Sequence, residues 1–255
     1  EYVLDADSAM LKIHTQVEWH ERHVLVKAAF PLNLEADSAT YEIPCGAIAR
    51  TTRPQTPAQK AQWEVPALHW ADLSDDTYGV SLLNDCKYGY DCQPGQIRLT
   101  LLRGATWPNP EADLGRHTFT YALYAHAGGW QAAQTVRQGY ELNLPLQVKM
   151  LKTQTSPAII STQPTIRQFF NIVANNLIVM AFKQAENAQD EWLLRVYECH
   201  GKIAQIHYEN DLNLSVVGAT DLLEQSILPK TDQGGTITVQ PWQILSLRVR
   251  SLSAT

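Results

Sequence analysis

Two stretches of this 255-residue chain concentrate side chains that can do chemistry. The first is 84–91, where Asn84, Asp85, Cys86, Lys87, Tyr88, Gly89, Tyr90 and Asp91 gather an amide, carboxylates, an ammonium group and phenols at the end of an apolar segment. Sugars are bound by such mixtures: aromatic faces lie against the apolar side of the ring, while carboxylates and amides pair with its hydroxyls. The same composition also suits a polar hairpin loop whose Asn and Asp satisfy their own backbone. The second stretch opens at Arg103 and runs from Trp107-Pro108-Asn109-Pro110-Glu111 through Asp113 and Arg116 to His117. Its prolines stiffen it, and Glu111, Asp113, Arg116 and His117 either converge on a ligand or pair with one another. Paired carboxylates suit glycoside hydrolysis, but their separation decides the mechanism and is not written in the sequence.

Other catalytic signatures are missing. The chain has no GxSxG elbow, no P-loop and no GxGxxG after a strand. His20-Glu21-Arg22-His23 is HExH where a metalloprotease needs HExxH, and it falls at a strand-to-turn junction where residues three apart point to different faces. We read it as a solvated hairpin tip. His14, His69, His117, His126, His200 and His207 are scattered singly, which suits surface or hydrogen-bonded structural histidines better than ligands. Cys45, Cys86, Cys92 and Cys199 form no CxxC pair, so no metal site is expected. Four cysteines are few for a disulfide-stapled secreted chain, which predicts reduced thiols and a cytoplasmic setting.

Composition excludes further classes. Hydrophobic residues make up 45% and charged residues 18%, enough to bury a core and far from a disordered tail. The net charge is −6, and no run of basic residues collects phosphates, so neither nucleic acid nor an anionic membrane is an expected partner. The longest apolar stretches, such as 177–182, are too short to span a bilayer. Glu1 opens the sequence without an initiator Met or a secretory leader, and we expect it to be part of something longer.

The elements that must position these residues have a period of two. Leu11, Ile13, Thr15, Val17 and Trp19 alternate with polar residues, and Val24, Val26, Ala28, Phe30 and Leu32 do so again after a polar step, which predicts a long antiparallel hairpin. Strands are also predicted at 41–43, 78–83, 97–102 and 117–124. Proline-rich turns lie at 53–57, 93–96 and 107–110. Trp130, Ala133, Val136 and Tyr140 recur at three and four residues, predicting one short amphipathic helix near 130–141. Lys152-Thr153-Gln154-Thr155-Ser156-Pro157 marks a boundary, giving domains 1–155 and 156–255. Beyond it, strands at 170–173, 177–182, 192–197, 203–207, 214–217, 236–239 and 244–249, with bends at Gly201, Gly218 and Gly234-Gly235, predict a small antiparallel sandwich. No strand–helix alternation supports a (β/α)8 barrel or a dinucleotide fold. The predicted class is all-β in two pieces.

Several blocks run in a recognisable order. They are Tyr41-Glu42-Ile43-Pro44-Cys45-Gly46 within 41–50, Gln62-Trp63-Glu64-Val65-Pro66-Ala67, and Tyr78-Gly79-Val80-Ser81-Leu82-Leu83-Asn84-Asp85-Cys86-Lys87-Tyr88-Gly89-Tyr90-Asp91. Leu99-Thr100-Leu101-Leu102-Arg103, 107–113 and Gly115-Arg116-His117-Thr118-Phe119 follow. Together they resemble the C-terminal portion of the α-mannosidases of glycoside hydrolase family 38, most closely over 24–146 and more loosely after 160. The resemblance implies a large, supersandwich-like antiparallel β-sandwich followed by a smaller C-terminal β-sandwich. It implies a parent enzyme that hydrolyses terminal α-linked mannose with retention, through a covalent mannosyl–enzyme ester. Nucleophile, acid/base carboxylate and zinc ligands belong to an N-terminal domain that nothing here matches, so no catalytic or metal residue and no cofactor is carried over to this chain. The implied partners are that catalytic domain, a helical domain of the same polypeptide, and an α-mannoside.

The large sandwich of such enzymes lends loops to the rim of the sugar site. Asn84, Asp85, Lys87, Tyr88, Tyr90, Asp91, Arg103, Asp113, Arg116 and His117 are therefore the candidates for rim or interdomain contacts. Cys45 is expected in the core. Besides a non-catalytic scaffold, two other readings stand: an autonomous carbohydrate-binding module, and an independent hydrolase working through carboxylates such as Asp85 and Asp113.

Overall fold

The computed structural model of the chain describes residues 1–150, 171–206, 208–209, 214–227 and 236–251. It divides into two compact units, Glu1–Pro145 and Leu146–Thr255. The expected boundary between 155 and 156 lies outside the described residues, as do Gly234 and Gly235. The architecture is antiparallel β-sheet throughout, as the alternation predicts. No helix among the described residues is long and apolar enough to cross a membrane.

The first unit begins with β1 (Tyr2–Leu4), β2 (Met10–Trp19), β3 (Val26–Pro31), β4 (Ser38–Ile43) and β5 (Gly46–Thr51), followed by a short helix α1 (Pro57–Lys60). Then come β6 (Val65–Pro66), β7 (Trp70–Ser74), β8 (Tyr78–Asn84), β9 (Gly89–Gln93), β10 (Gln96–Leu102), β11 (Gly115–Ala127) and a longer helix α2 (Thr135–Asn143). A seven-stranded sheet has the order β1-β2-β11-β8-β7-β4-β5, and a four-stranded sheet the order β3-β10-β9-β6.

The two sheets enclose a core of Ile13, Tyr41, Leu73, Leu82, Tyr90, Ile97, Leu99 and Phe119, among others. α2 packs on the opposite face of the larger sheet, with Trp130 ahead of it 5.1 Å from Trp70 between ring centroids. β7 and β8 are therefore buried on both sides, which is why they read as nearly continuous apolar runs. α2 begins about one turn later than the apolar spacing predicts, because residues 130–134 form turns first.

Two expectations are corrected here. The predicted hairpin of 11–19 with 24–32 does not form. β2 pairs with β1 and β11, while β3 pairs with β10 in the other sheet. Both alternations are real, but the HExH step at 20–23 carries the chain between sheets, and His23 takes a positive φ of 56° there. Cys45 lies in the turn between β4 and β5 with φ 55°, not in the core. The small α1 replaces part of the predicted proline-rich turn, capped by a reciprocal Thr56–Gln59 box.

Burial on both faces forces the polar residues of β7 and β8 to find partners inside the unit. Ser81 Oγ donates to Asp72 Oδ2 at 2.7 Å and sits 2.8 Å from Thr135 Oγ1, joining the sheet to α2. His126 Nε2 donates to Asp72 Oδ2 at 2.8 Å, and its Nδ1 faces Gly128 O at 3.0 Å. A serine, histidine and aspartate thus meet, but Ser81 and Asp72 are sealed from solvent, and the set is a structural brace. Gly79 lies against it: a Cβ there would come within 2.6 Å of His126 Cε1.

In the second unit, β12 (Asn171–Ile172), β13 (Leu177–Gln184), β14 (Glu191–Glu198), β15 (Ala204–Ile206) and β16 (Tyr208–Glu209) precede β17 (Leu214–Thr220), β18 (Ser226–Ile227), β19 (Ile237–Val239) and β20 (Ile244–Ser251). A five-stranded sheet, β13-β14-β20-β17-β18, buries Leu194, Val196, Leu245 and Leu247 against Ala204, Ile206, Ile237 and Val239 of the β15–β19 pair. That is the expected small sandwich. Gly218, expected at a bend, lies inside β17 at a bulge where the register to β20 shifts.

Glu198, at the end of β14, is fully buried. Its Oε1 accepts from Asn176 Nδ2 and His200 N, and its Oε2 accepts from Gly201 N and Trp242 N, at 2.8–2.9 Å. One carboxylate thereby fixes the 199–203 turn, where Gly201 takes φ +71°, and the loop before β20. Glu198→Ala would orphan these donors in a dry site, and we expect a loss of at least ~3 kcal/mol in urea unfolding. A loss below ~1 kcal/mol would mean that water replaces the carboxylate freely.

Candidate functional site

Alternation along the four-stranded sheet sends Phe30, Tyr90, Cys92, Ile97 and Leu99 into the core, leaving Lys27, Asp91, Arg98 and Thr100 on the opposite face. Strand pairing sets Lys27 opposite Thr100 and Arg98 opposite Asp91. Glu64, immediately before β6, completes a network. Lys27 Nζ lies 2.6 Å from Glu64 Oε2 and 2.5 Å from Asp91 Oδ2. Arg98 Nη2 lies 2.5 Å from Asp91 Oδ1, Thr100 Oγ1 donates to Glu64 Oε2 at 2.7 Å, and Arg103 Nη1 lies 3.5 Å from Glu64 Oε1.

Lys27, Glu64 and Asp91 retain only 13%, 10% and 6% of their side-chain exposure, so their charges depend on each other more than on water. Burial works to raise the Glu64 carboxyl. The Lys27 and Thr100 hydrogen bonds outweigh it and hold the group below its ordinary value of 4.5.

Beside this network a cleft of about 250 Å³ opens between the 85–88 and 103–114 segments. It brings together Lys87, Tyr88, Arg103 and Asp113 from the sequence candidates, with Glu64 and Cys86. Lys87 Nζ is held 4.4 Å above the Phe119 ring, and Tyr88 is largely exposed. Asp113 Oδ2 accepts from Arg103 N at 3.0 Å and Gly104 N at 2.8 Å, while His117 Nε2 contacts Asp113 O at 2.7 Å. Asp113 and His117 therefore shape the loop that carries Arg103. The Cys86 thiol is pushed up to about 11 by burial and then by its hydrogen bond to Asp85, which makes it a poor nucleophile at neutral pH.

The other candidates are placed elsewhere. Asn84 and Tyr90 are enclosed: Asn84 Nδ2 donates to Leu68 O and to the Tyr90 hydroxyl, which donates to Leu82 O at 3.2 Å. They secure the step by which the chain leaves β8 in one sheet for β9 in the other, so 84–91 is a crossing and not a hairpin loop. Asp85 Oδ2 accepts from Thr120 N at 2.8 Å. Arg116 Nη2 donates to Gln16 Oε1 at 3.2 Å on the exposed face of β2. Asp91 belongs to the ion network and borders a second, larger cleft.

Sequence reasoning missed Glu64, Lys27 and Arg98 as site residues, although Trp63 and Glu64 stood in one of its blocks. The alternation along β3 and β10 carried the remaining signal, since it marks Lys27 and Arg98 as sharing a face. Among the described residues, no group of three or more His, Cys, Asp or Glu side chains is placed to hold a metal ion. These residues do not fit a zinc site.

The sequence models of two domains cover most of this architecture. "Glycosyl hydrolases family 38 C-terminal domain" matches residues 1–111, and "Glycosyl hydrolases family 38 C-terminal beta sandwich domain" matches residues 176–247. The chain belongs to glycoside hydrolase family 38. It is 36% identical over 253 residues to Alpha-mannosidase 2C1 of Mus musculus, covering 97% of this chain and 24% of the relative. It is 32% identical over 253 residues to Alpha-mannosidase G of Dictyostelium discoideum, covering 96% and 23%. The family 38 chain thus spans about a quarter of the length of these curated relatives and corresponds to their C-terminal portion. The crystal structure of an α-mannosidase from Enterococcus faecalis V583 shares the fold, with a TM-score of 0.79 at 16% identity, over 97% of this chain and 28% of that one.

The ion network predicts how the first unit of this family 38 chain responds to acid. A carboxyl held low when folded contributes stability that is complete above its unfolded value and lost as pH falls through the folded one. Lys27→Met removes the main lowering contact of Glu64 and a partner of Asp91. Acid unfolding followed by circular dichroism should therefore begin at higher pH than in the parent chain. An unchanged midpoint would mean that Arg98, Arg103 and solvent already suffice.

Proposed function

We propose that this chain is the C-terminal, non-catalytic β region of a retaining, zinc-dependent α-mannosidase that hydrolyses terminal α-linked mannose. Its task is to scaffold the catalytic domain and to lend the 85–88 and 103–114 segments to the rim of the sugar site. The observation that carries this reading is the cleft where Lys87, Tyr88 and Arg103 converge while the neighbouring carboxylates are already engaged. Retaining hydrolysis needs two carboxyl groups about 5–5.5 Å apart, one free to attack and one able to donate a proton. Asp85 and Asp113 accept from backbone amides, and Asp91 and Glu64 clamp cations. Nucleophile, proton donor and zinc then come from the rest of the polypeptide.

The names of the curated relatives support the substrate class. Tyr88 beside the cleft, and Trp107 at 85% exposure on the neighbouring loop, offer aromatic faces suited to a hexose or to a partner domain. Both belong to the segments that the family resemblance singled out. The free thiols of Cys86 and Cys92 support a reducing, cytoplasmic setting.

The test uses an aryl α-mannoside. The 255-residue chain alone should not turn it over, while the full-length protein should. In the full-length protein Tyr88→Ala and Arg103→Ala should each lower kcat/KM about tenfold. Lys12→Ala, which breaks a surface pair with Asp5, serves as the control and should change it less than about twofold. Turnover by the isolated chain, or full activity in both cleft variants, would overturn the reading. Tight binding of mannose by the isolated chain would favour an autonomous carbohydrate-binding module.

A further inference from the structure

We propose that the first unit carries a binding site for an anionic saccharide, of the sugar-phosphate class, in the larger cleft at the open edge of its sandwich. This cleft encloses about 700 Å³, within the roughly 300–1,000 Å³ usual for small-molecule sites. It exists because both sheets run out at the same place. β5 is the outermost strand of the larger sheet. β6 pairs with β9 only at Gly89 and Tyr90, so among the described residues the edge of 91–93 that faces away from β10 has no strand partner. Tyr41, Val65 and Cys92 bring the end of the core to the surface there, and the segment around α1 supplies the outer wall.

The charge of the cleft runs against that of the chain. The protein is net −6, yet Arg50, Arg53, Lys60 and Arg98 line the cleft against the single carboxylate of Asp91. Arg98 is neutralised by Asp91, and Arg53 by Glu35 and Asp37. Among the described residues, Arg50 and Lys60 have no carboxylate partner. Arg50 is the more telling. Its guanidinium carbon lies 6.0 Å from the Tyr41 ring, Nη1 reaches only the amide oxygen of Gln62 at 3.3 Å, and Nε is sealed from solvent without an acceptor. An enclosed guanidinium N–H without an acceptor is costly and rare. An anion seated on the same planar fork supplies the missing countercharge and suits its geometry.

The rest of the lining favours a saccharide as the carrier of that anion. Trp63 presents its indole at 60% exposure with Lys27 Nζ 5.5 Å from its centroid, and an exposed indole suits the C–H face of a pyranose. Thr51 and Gln62 add a hydroxyl and an amide for sugar hydroxyls. An acidic peptide would answer the charge but would not need Trp63. The saccharide half of the inference rests on the family reading above, whereas the anionic half rests on Arg50 and Lys60.

Isothermal titration of the 255-residue chain with mannose 6-phosphate, mannose and inorganic phosphate tests this. The sugar phosphate should bind at least about tenfold tighter than either half alone. Lys60→Ala, Trp63→Leu and Arg50→Gln should each weaken it by about tenfold. Lys60 and Trp63 are exposed, so their variants should keep the fold, with circular dichroism as the check. Absence of binding, phosphate binding as tightly as its sugar ester, or binding indifferent to Lys60→Ala and Trp63→Leu would each overturn the proposal. So would a glutamate-rich peptide that outcompetes the sugar phosphate. Any of these failures leaves the α-mannosidase reading intact, since that is tested by hydrolysis of a neutral aryl mannoside.

Discussion

The first unit is organised by the burial of its seven-stranded sheet on both faces. Strands β7 and β8 have no wet side, so a polar atom on them costs free energy unless it is matched inside the protein. The matches form between elements far apart in sequence. Asp72 and Ser81 meet His126 of β11 and Thr135 of α2 on one face. Asn84 meets Tyr90 of the other sheet on the opposite face. On the helix side, Glu42 of β4 accepts the amide of His69 at 2.6 Å, and the imidazole lies 5.3 Å from Tyr140. The Glu42 carboxylate, whose Oε2 also lies 2.9 Å from His69 Nδ1, holds that imidazole above its ordinary value. Satisfying buried polar atoms and fixing the tertiary register are thus one requirement. The crossing at 85–88, and the cleft beside it, begin where Asn84 anchors the chain.

This requirement also explains what the sequence could reveal. Period-two alternation exposed β2, β3, β10 and β11 as strands because each has one apolar face, and it correctly separated an all-β chain from α/β alternatives. It could not supply their partners. The polar step at 20–23 suits a hairpin tip as well as a crossing between sheets, and only the distant β10 and β11 decide between them. From sequence, β9 reads as part of a loop because Gly89, Tyr90 and Asp91 look polar and turn-like, whereas Tyr90 is a core residue whose hydroxyl is satisfied by Asn84 and Leu82. The site was legible in the same partial way. Lys87, Tyr88 and Arg103 were found from residue type. Glu64 was not, since it gains its meaning only when a two-residue strand brings it beside Lys27 and Thr100.

The two clefts border one ion network but differ in how it is closed. Around Lys27 the charges are balanced by direct pairing: two carboxylates share one ammonium group, and each holds a further donor. Such a set is expensive to desolvate, and it rigidifies the face from which Arg103 and the 85–88 segment project. Beyond Asp91 the balance runs out. Arg50 is held in place by Tyr41 and Gln62, neither of which carries a negative charge. Packing there orients a cation without neutralising it, which is the condition for recognising an anion from outside.

The direction in which these carboxylates are tuned bears on catalysis as well. A general acid for glycoside cleavage must stay protonated near neutral pH, which requires an environment that disfavours its charge. Glu64 is tuned the opposite way: burial alone would raise it, but Lys27 and Thr100 reverse the outcome and keep it ionised. Asp91 is clamped between a lysine and an arginine in the same network. Glu64, held as an anion by its neighbours, has no proton to give up, and neither carboxylate can approach an anomeric carbon without breaking the network. Their geometry suits a frame, which supports the proposal that bond cleavage belongs to another part of the polypeptide.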